Sequence, residues 1–307
     1  MSDNSAATPG SPATPGSSAD LGHRVAVLGA GTMGMGIATL LTGHGVPVVL
    51  VDVDPQKLER AETGVSRQLK FAQLMGKLPK SSPGGSPTGG LTCTTTLVDG
   101  IGGATVVIEA VTELPELKAK VIDEVSRAVA PGTPLVSNTS AIPIDELAGS
   151  AVRPEDVVGA HFMNPPYLIR AIEVIRGPRS SAGALDTVTG LLGALGMNAV
   201  VVGDGPGFVI NRVLQRSLNE AARLVQDGVA DAASVDTLFQ GCLGHATGPL
   251  ATADLIGLDN VVDSLRVLYD RTGDAGYLPC ELLVGKVAAG DFGRKTGRGF
   301  FEYGDVL

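Results

Sequence analysis

Between Arg24 and Val202 the chain alternates short apolar runs with stretches of helical composition, and this alternation sets the fold class. The apolar runs are too short and too rich in β-branched residues to form buried helices: Val25–Leu28, Val48–Val51, Val106–Ile108, Leu135–Val136, Val157–Ala160 and Ala199–Val202. Helical composition fills the intervals Met33–Thr42, Pro55–Met75, Leu114–Val129 and Gly183–Leu195. We therefore expect βαβ units and an α/β fold with a doubly wound parallel sheet.

The pattern changes after Gly205-Pro206-Gly207, where apolar residues recur at helical spacing and no convincing strand follows. We place a domain boundary near Asp204, with a nucleotide-binding domain over 23–204 and an all-helical domain for substrate and dimer contacts over 205–307. Residues 1–22 repeat an Ala-Thr-Pro-Gly-Ser unit and carry almost no large apolar side chain, so we expect a disordered tail. A second Pro/Gly/Ser-rich stretch, 79–90, predicts a surface loop.

Composition excludes several classes of protein. With 44% hydrophobic and 18% charged residues, the 307-residue chain is too apolar to be disordered. Its net charge of -9 repels nucleic acids and anionic lipids. Three widely separated cysteines match neither a disulfide framework nor a zinc site. No apolar run approaches the length of a membrane helix and no signal sequence is recognisable, so we expect a cytoplasmic protein.

A glycine-rich loop follows the first predicted strand and opens a helix. Its sequence, Gly29-Ala30-Gly31-Thr32-Met33-Gly34, is typical of the dinucleotide-binding turn of a Rossmann fold. The first glycine allows the tight turn, the second lets the pyrophosphate approach, and the third lets the helix pack on the strand. Asp52 follows 18 residues later at the end of the second strand, where a carboxylate binds ribose hydroxyls and favours NAD over NADP. The alternatives are a simple loop with a helix-capping Asp, and an FAD site.

His161 is one of four histidines and directly follows a predicted strand. Parallel sheets carry their chemistry at the carboxyl ends of their strands. A dehydrogenase needs a group with a pKa near neutrality to take the hydroxyl proton, and a carboxylate on the other ring nitrogen would fix the tautomer. The residues alone leave open that His161 is a structural histidine.

Taken together, the motifs resemble those of the 3-hydroxyacyl-CoA dehydrogenase family, in the family's order and from about His23 to Tyr303. The segments that carry the resemblance are GAGTMGMGIA, IEAVTELPELKAKV, SNTSAIPI, GAHFMNPPYLIRAIEVIRG, GDGPGFVINRVL, GHATGPLATADLIGLD and GRKTGRGFFEY. The resemblance implies an NAD-dependent oxidation of a 3-hydroxyacyl thioester. It also implies that the helical domain forms a homodimer.

The resemblance assigns roles to six residues. It implies that His161 is the catalytic base, Glu173 its carboxylate partner, and Ser140 and Asn211 ligands of the substrate's reacting oxygen or thioester. Glu113 and Lys118 match positions near the nicotinamide. Each has another interpretation: Ser140 as a cap of the helix near Pro143, Asn211 as a polar residue of a helical first turn, and Glu173, Glu113 and Lys118 as solvated charges.

The acyl carrier is the open question. Met163 and Pro165-Pro166-Tyr167 depart from many acyl-CoA members and are similar to the gulonate dehydrogenase and λ-crystallin branch, which oxidises small free hydroxy acids. The C-terminal GRKTGRGFFEY and the HFMN that begins at His161 instead favour a thioester, carried by CoA or by acyl carrier protein. A carrier with phosphates needs a basic rim, for which Arg67, Lys70, Lys77 and Lys80 are candidates; as alternatives they form an ordinary solvated helix face.

Two other classes compete with this interpretation. A different β-hydroxyacid dehydrogenase family uses a catalytic Lys four residues before an Asn, but Gly207 stands four residues before Asn211. A non-enzymatic NAD-binding protein would keep the fold and lose the proton-transfer residues, all of which are present. The sequence therefore favours an enzyme.

Overall fold

The computed structural model describes residues 22–79 and 90–304. Within them, one eight-stranded sheet has the order β3-β2-β1-β4-β5-β6-β7-β8. The strands are β1 (Val25–Leu28), β2 (Val48–Val51), β3 (Leu91–Thr94), β4 (Val106–Glu109), β5 (Leu135–Ser137), β6 (Val157–His161), β7 (Ala171–Arg176) and β8 (Asn198–Gly203). The strand order reverses between β1 and β4, which confirms the predicted doubly wound sheet and places its crevice at that point.

The direction of the sheet changes at β7. Strands β1 to β6 pair in parallel, β7 is antiparallel to β6, and β8 is parallel to β7. The sequence pattern predicted neither β7 nor β3. Both have polar residues inside the strand, where β4, β5 and β6 have them only at the carboxyl end: β7 carries Glu173 near its centre, and β3 has the sequence LTCT.

Helices cover both faces of the sheet. The helices are α1 (Thr32–Gly43), α2 (Pro55–Leu74), α3 (Leu97–Ile101), α4 (Pro115–Ala128), α5 (Ile144–Ala148), α6 (Ala182–Ala194), α7 (Ile210–Gln226), α8 (Ala232–Leu243), α9 (Pro249–Ile256), α10 (Leu258–Thr272) and α11 (Glu281–Ala288). Short 3₁₀ helices span Pro154–Asp156, Ala275–Tyr277 and Arg294–Thr296. The four predicted helices lie within one residue of α1, α2, α4 and α6 at each end. The five-residue α3 was not predicted, and the five-residue α5 is the helix near Pro143 that the alternative interpretation of Ser140 invoked.

Successive residues of the central strands face opposite cores, as the period of two requires. In β1, Val25 and Val27 pack in one core with α1, α2 and α6, while Ala26 and Leu28 pack in the other with α4 and α5. Helices α7 to α11 enclose a third core that includes Leu218, Leu250 and Leu265. Because both faces of the sheet pack against helices, the carboxyl edge of the sheet is where polar side chains can be placed.

Residues 204–304 contain helices and only isolated β-bridges, Gly293 with Arg298 and Arg298 with Glu302. A domain boundary near Asp204 stays a prediction. The predicted tail, residues 1–22, lies outside the described residues except for Gly22, and so does most of the predicted loop 79–90. Among the described helices, none combines the length and the apolar composition needed to cross a bilayer.

Asp204, in the segment between β8 and α7, binds the N-terminus of α5. Its carboxylate accepts hydrogen bonds from the backbone N–H groups of Ile144 at 2.9 Å and Asp145 at 2.8 Å, and from Gly205 at 2.9 Å. These bonds cap a helix whose own N-cap residue, Pro143, offers no side-chain acceptor. The cap therefore comes from a residue about 60 positions away in the sequence.

We expect Asp204→Ala to lower the free energy of unfolding by about 1–2 kcal/mol, because it removes the acceptor of helix-terminal N–H groups. Asp204→Asn, which retains one acceptor oxygen, should lose less. The exposed Asp186 of α6 offers a matched control, and Asp186→Ala should change stability by no more than about 0.5 kcal/mol. Urea unfolding of the three variants measures this; equal losses for Asp204→Ala and Asp186→Ala would contradict the capping role.

Candidate active site

The glycine-rich loop after β1 has the geometry that a pyrophosphate requires. Gly29 has a φ of 101°, and a Cβ there would lie 2.6 Å from the carbonyl oxygen of Ala110. A Cβ on Gly34 would overlap the carbonyl oxygen of Gly29. A Cβ on Gly31 would meet no atom within 4 Å, so its backbone faces open space. Gly29 and Gly34 thus hold the turn and the helix together, and Gly31 borders the volume that a phosphate would occupy.

The first turn of α1 directly follows Gly31 and faces the volume that a phosphate would occupy. Gly31 is its N-cap residue and supplies no side-chain acceptor to the first-turn N–H groups, which belong to Thr32, Met33 and Gly34. Free N–H groups and the helix dipole together attract an anion. The residues present therefore fit the pyrophosphate of a dinucleotide.

Asp52 directly follows β2, next to the glycine-rich loop. One carboxylate oxygen accepts the N–H of Ala30 at 2.8 Å, and the other accepts the N–H of Asp54 at 3.0 Å. Asp52 is not the cap of the following helix, because Asp54 caps α2 by accepting the N–H groups of Gln56 and Lys57. Asp52 is left partly exposed beside the loop, with lone pairs that can accept from ribose hydroxyls.

His161 and Glu173 face each other across the antiparallel pair of β6 and β7. Nδ1 of His161 lies 2.8 Å from Oε2 of Glu173, and the two residues are only 6% and 7% exposed. Glu173 therefore does not face solvent. A carboxylate at Nδ1 holds that proton and leaves Nε2, which has no hydrogen-bond partner among the described residues, as the basic nitrogen.

The second oxygen of Glu173 binds the start of the helical region. It accepts the N–H groups of Val209 at 3.0 Å and Ile210 at 2.9 Å, at the N-terminus of α7. Burial raises the pKa of Glu173, but the hydrogen bonds from His161, Ile210 and Val209 outweigh burial and lower the pKa below its ordinary value. Phe208, just before this helix, has a φ of 49° and a ring centroid 6.1 Å from that of His161.

Ser140 and Asn211 meet at the boundary between the sheet and the helices. Nδ2 of Asn211 donates to the carbonyl oxygen of Ser140 at 3.0 Å. Asn211 does lie in the first turn of α7, as its alternative interpretation holds, and also makes this contact. Ser140 does not cap α5, because Asp204 does. Its hydroxyl has no hydrogen-bond partner among the described residues and is available to a ligand.

Glu113 and Lys118 differ in exposure. Glu113 is partly exposed, and its Oε1 accepts the Thr139 hydroxyl at 2.6 Å and the N–H of Ser140 at 2.7 Å. Lys118 is 1% exposed, so it is not a solvated charge. Its Nζ lies 2.7 Å from Oε1 of Glu109 and 3.1 Å from Oε2 of Glu113.

Sequence reasoning missed three polar residues at the carboxyl ends of β4 and β5. Glu109 is buried and accepts the hydroxyl of Ser137 at 2.6 Å. Asn138 accepts the N–H of Phe162 at 3.0 Å, which fixes the chain just after His161. The sequence does contain a signal for these residues, because they lie at the end of apolar runs. The same criterion selected His161 and Asp52.

The sheet brings most of the predicted residues together. Strands β1, β4, β5 and β6 are neighbours, so the residues at their carboxyl ends share one edge. The residues of the predicted rim lie on α2 and just beyond it, where Arg67, Lys70 and Lys77 are exposed; Lys80 is outside the described residues. A surface cavity of about 530 Å³ on α2 is lined by Glu59, Glu62, Thr63, Ser66, Arg67 and Lys70.

Comparison with known proteins agrees with this geometry. Residues 24–205 match the NAD-binding domain of 3-hydroxyacyl-CoA dehydrogenase, and residues 207–303 match its C-terminal domain. A probable 3-hydroxybutyryl-CoA dehydrogenase of Bacillus subtilis is 39% identical over 91% of this chain and 97% of its own length.

Two solved structures are similar along most of the chain. The (S)-3-hydroxybutyryl-CoA dehydrogenase of Ralstonia eutropha has 35% identity and a TM-score of 0.87 over 92% of this chain and 99% of its own. An NAD⁺-dependent 5-formyl-3-hydroxy-2-methylpyridine 4-carboxylic acid 5-dehydrogenase also has 35% identity, with a TM-score of 0.74 over 92% and 91%. With both domain models matched over nearly the whole described length, the chain belongs to the 3-hydroxyacyl-CoA dehydrogenase family.

Proposed function

We propose that this chain is an NAD-dependent dehydrogenase that oxidises the 3-hydroxyl of a short 3-hydroxyacyl-CoA. The observation that carries the proposal is the buried His161–Glu173 pair at 2.8 Å, on the sheet edge that also holds the glycine-rich loop. The names of the Bacillus and Ralstonia relatives supply the short acyl group, and the second also supplies the (S) configuration.

In the proposed reaction, His161 takes the proton of the 3-hydroxyl at Nε2. The glycine-rich loop and Asp52 would hold NAD, which would supply the hydride acceptor for the hydrogen on C3. Glu173 stays ionised and stabilises the imidazolium that forms, because its own pKa is lowered by its hydrogen bonds. Ser140 and Asn211 bind the oxygen that becomes the 3-keto group, and the proton leaves from His161 to solvent. Glu113 lies on the nicotinamide side of the site.

A thioester suits the charges of the site better than a free acid does. A small carboxylate substrate needs a buried cation to offset its desolvation. Among the described residues, Lys118 is the only buried Lys or Arg, and two carboxylates already bind it. Free-acid oxidation is the second candidate, favoured by the Asn164–Tyr167 segment and by the similar pyridine-carboxylic acid dehydrogenase.

A homodimer stays a prediction. Large apolar side chains are exposed on α7 and α8, including Val213, Leu238 and Leu243. A second copy of the chain that covered them would remove this apolar surface from water.

Replacing the proposed base tests the reaction directly. We expect His161→Gln to lower kcat by about 10² to 10⁴, the usual contribution of a positioned acid–base group. Glu173→Gln should also lower kcat while leaving NADH affinity nearly unchanged, because Glu173 acts on the ring. The exposed His245 provides a control, and His245→Gln should keep wild-type kcat. His161→Gln retaining more than about a tenth of wild-type kcat removes His161 from this role.

Asp52 predicts the choice of cofactor. A 2′-phosphate at this carboxylate meets a like charge, which costs several kcal/mol, so we expect kcat/KM for NAD to exceed that for NADP by more than about a hundredfold. Asp52→Asn should narrow the ratio. Asp54→Asn removes the same charge two residues away, retains a cap for α2, and should leave the ratio unchanged. Comparable kcat/KM values for NAD and NADP in the wild type would overturn the assignment.

Substitution of the basic residues on and after α2 tests whether the acyl group is attached to a carrier with phosphates. Neutralising Lys70, Lys77 and Lys80 together should raise KM for the CoA thioester at low salt and leave kcat little changed, since phosphate attraction is lost. The penalty should shrink as salt screens the pairs. Lys120→Gln with Arg266→Gln removes two exposed charges elsewhere and should not change KM.

The same acyl group offered as CoA ester, acyl carrier protein ester and free acid separates the candidates. We expect the CoA ester to give the highest kcat/KM. An unchanged KM in the triple variant, together with efficient oxidation of the free 3-hydroxy acid, would favour the second candidate. Preference for the carrier-protein ester would identify that carrier instead.

A further inference from the structure

An ion pair joins the last turn of α10 to the short helix α5. Nη1 of Arg271 lies 2.6 Å from Oε2 of Glu146, and Nη2 lies 3.3 Å from Oε1, so the guanidinium binds both carboxylate oxygens. Among the described residues, it is the only ion pair that joins the sheet and its covering helices to helices α7 to α11. It therefore connects the two parts of the chain that meet at the site.

Glu146 is held in place by the sheet. The carboxylate of Asp204, directly after β8, accepts the first N–H groups of α5. Arg179, which follows β7, pairs at 2.7 Å with the residue before Glu146. Ile144 of the same helix is buried in the core under the sheet. Because α5 begins four residues after Ser140, Glu146 and Ser140 belong to one fixed segment.

Arg271 belongs to a second unit, which α10 forms with α7. A Cβ on Gly207 would lie 2.7 Å from Cδ2 of Leu268, so α10 packs directly against the residues before α7. Leu268 also shares a core with Leu218 of α7. After α10, the hydroxyl of Tyr277 donates to the carbonyl oxygen of Arg212 in α7 at 2.9 Å. We therefore expect α10 and the first turn of α7 to move together.

The hydrogen bonds already described between the two parts lie close to one another. Glu173 accepts the N–H groups of Val209 and Ile210, and Asn211 donates to the carbonyl oxygen of Ser140. All of them involve the first turn of α7 or the residue before it. Contacts at a single place leave a rigid body free to turn about that place. The ion pair, on a different helix, supplies a separate point of attachment.

Apolar packing does not fill the space beside the ion pair. A cavity of about 200 Å³ lies there, with Glu113, Ala141 and Ile142 on one side and Val267 and Arg271 of α10 on the other. Close packing would fix the separation of two elements through many contacts. Since α10 leaves a cavity at this position, the ion pair is the contact that fixes its separation from the segment after β5.

The side chains of Arg271 and Glu146 are 25% and 45% exposed, and ion pairs at such positions contribute little to the stability of a fold. A bidentate pair does, however, fix a geometry. We propose that Arg271 is a positioning residue: its pair with Glu146 keeps α7 from turning about its first turn, and so holds Asn211 at the separation from Ser140 that the reacting oxygen requires. This inference rests on the proposed function, in which Ser140 and Asn211 bind that oxygen.

Removing either partner of the pair tests the inference. With saturating NAD and 3-hydroxybutyryl-CoA, we expect Arg271→Met to lower kcat about tenfold, because a misplacement of about 1 Å can cost about a hundredfold. The dissociation constant of NADH and the KM for 3-hydroxybutyryl-CoA should change less than about twofold. Glu146→Gln should give the same loss of kcat, and the double variant should lose no more than either single variant. Arg216→Met removes a 2.6 Å ion pair with Asp274 inside the helical region and should leave kcat unchanged.

The decisive comparison repeats Arg271→Met in an Asn211→Ala background. If the ion pair acts through Asn211, the substitution should then lower kcat less than about twofold, since interacting sites are not additive. An equal loss of kcat in both backgrounds overturns the inference. So does a raised KM for 3-hydroxybutyryl-CoA, or weaker NADH binding, with unchanged kcat. Either result would mean that Arg271, which borders the cavity, binds a ligand directly.

Two further measurements keep the result unambiguous. If Arg271→Met does not fold, as judged by circular dichroism, Glu146→Gln removes the pair from its more exposed side and is compared in the same two backgrounds. A wild-type protein that does not oxidise 3-hydroxybutyryl-CoA with NAD refutes the proposed function itself. A wild-type protein that turns over, while Arg271→Met and Glu146→Gln keep its kcat, refutes the inference alone.

Discussion

The buried carboxylate of Glu173 is the interaction on which the geometry of the site depends. A carboxylate so little exposed must have all its lone pairs satisfied. It obtains this from two directions: the imidazole of His161 on the neighbouring strand, and the first N–H groups of α7. One side chain therefore joins the sheet to the helical region. The orientation of the His161 ring depends on where α7 begins, and the two cannot shift independently.

This junction also accounts for the local backbone strain. Phe208 adopts a left-handed φ, which costs a bulky residue about 1–3 kcal/mol. The turn that it makes directs the N–H groups of Val209 and Ile210 at Glu173, and its own ring is buried. The strain is offset by charge-assisted hydrogen bonds and by burial of an aromatic ring. The backbone conformation before α7 is thus set by the hydrogen bonds that the Glu173 carboxylate requires.

Glu173 also illustrates which parts of the fold could not be predicted from the sequence. Fully buried strands such as β1 and β2 were predictable because apolar residues fill both faces. The strand β7 was not, because Glu173 interrupts its apolar pattern for a reason that lies on another strand. The glycine-rich loop and His161 were predictable from local order in the chain. The bond between Lys118 and Glu109 was not, since a Lys in a helical stretch is ordinarily solvated, and only the packing of α4 against β4 buries it.

The distribution of charge in the cleft limits what the proposed substrate oxygen can be. Lys118 is the only buried Lys or Arg of the described residues, and its charge is exceeded by those of Glu109 and Glu113 together. Besides Nε2 of His161, the groups left for the proposed substrate are neutral donors, the Ser140 hydroxyl and the Asn211 amide. Neutral donors stabilise the partial charge of a hydroxyl or keto oxygen, whereas a carboxylate beside two anions would be repelled. The 3-oxygen of an uncharged thioester chain, as in the proposed function, therefore matches the charges of this site.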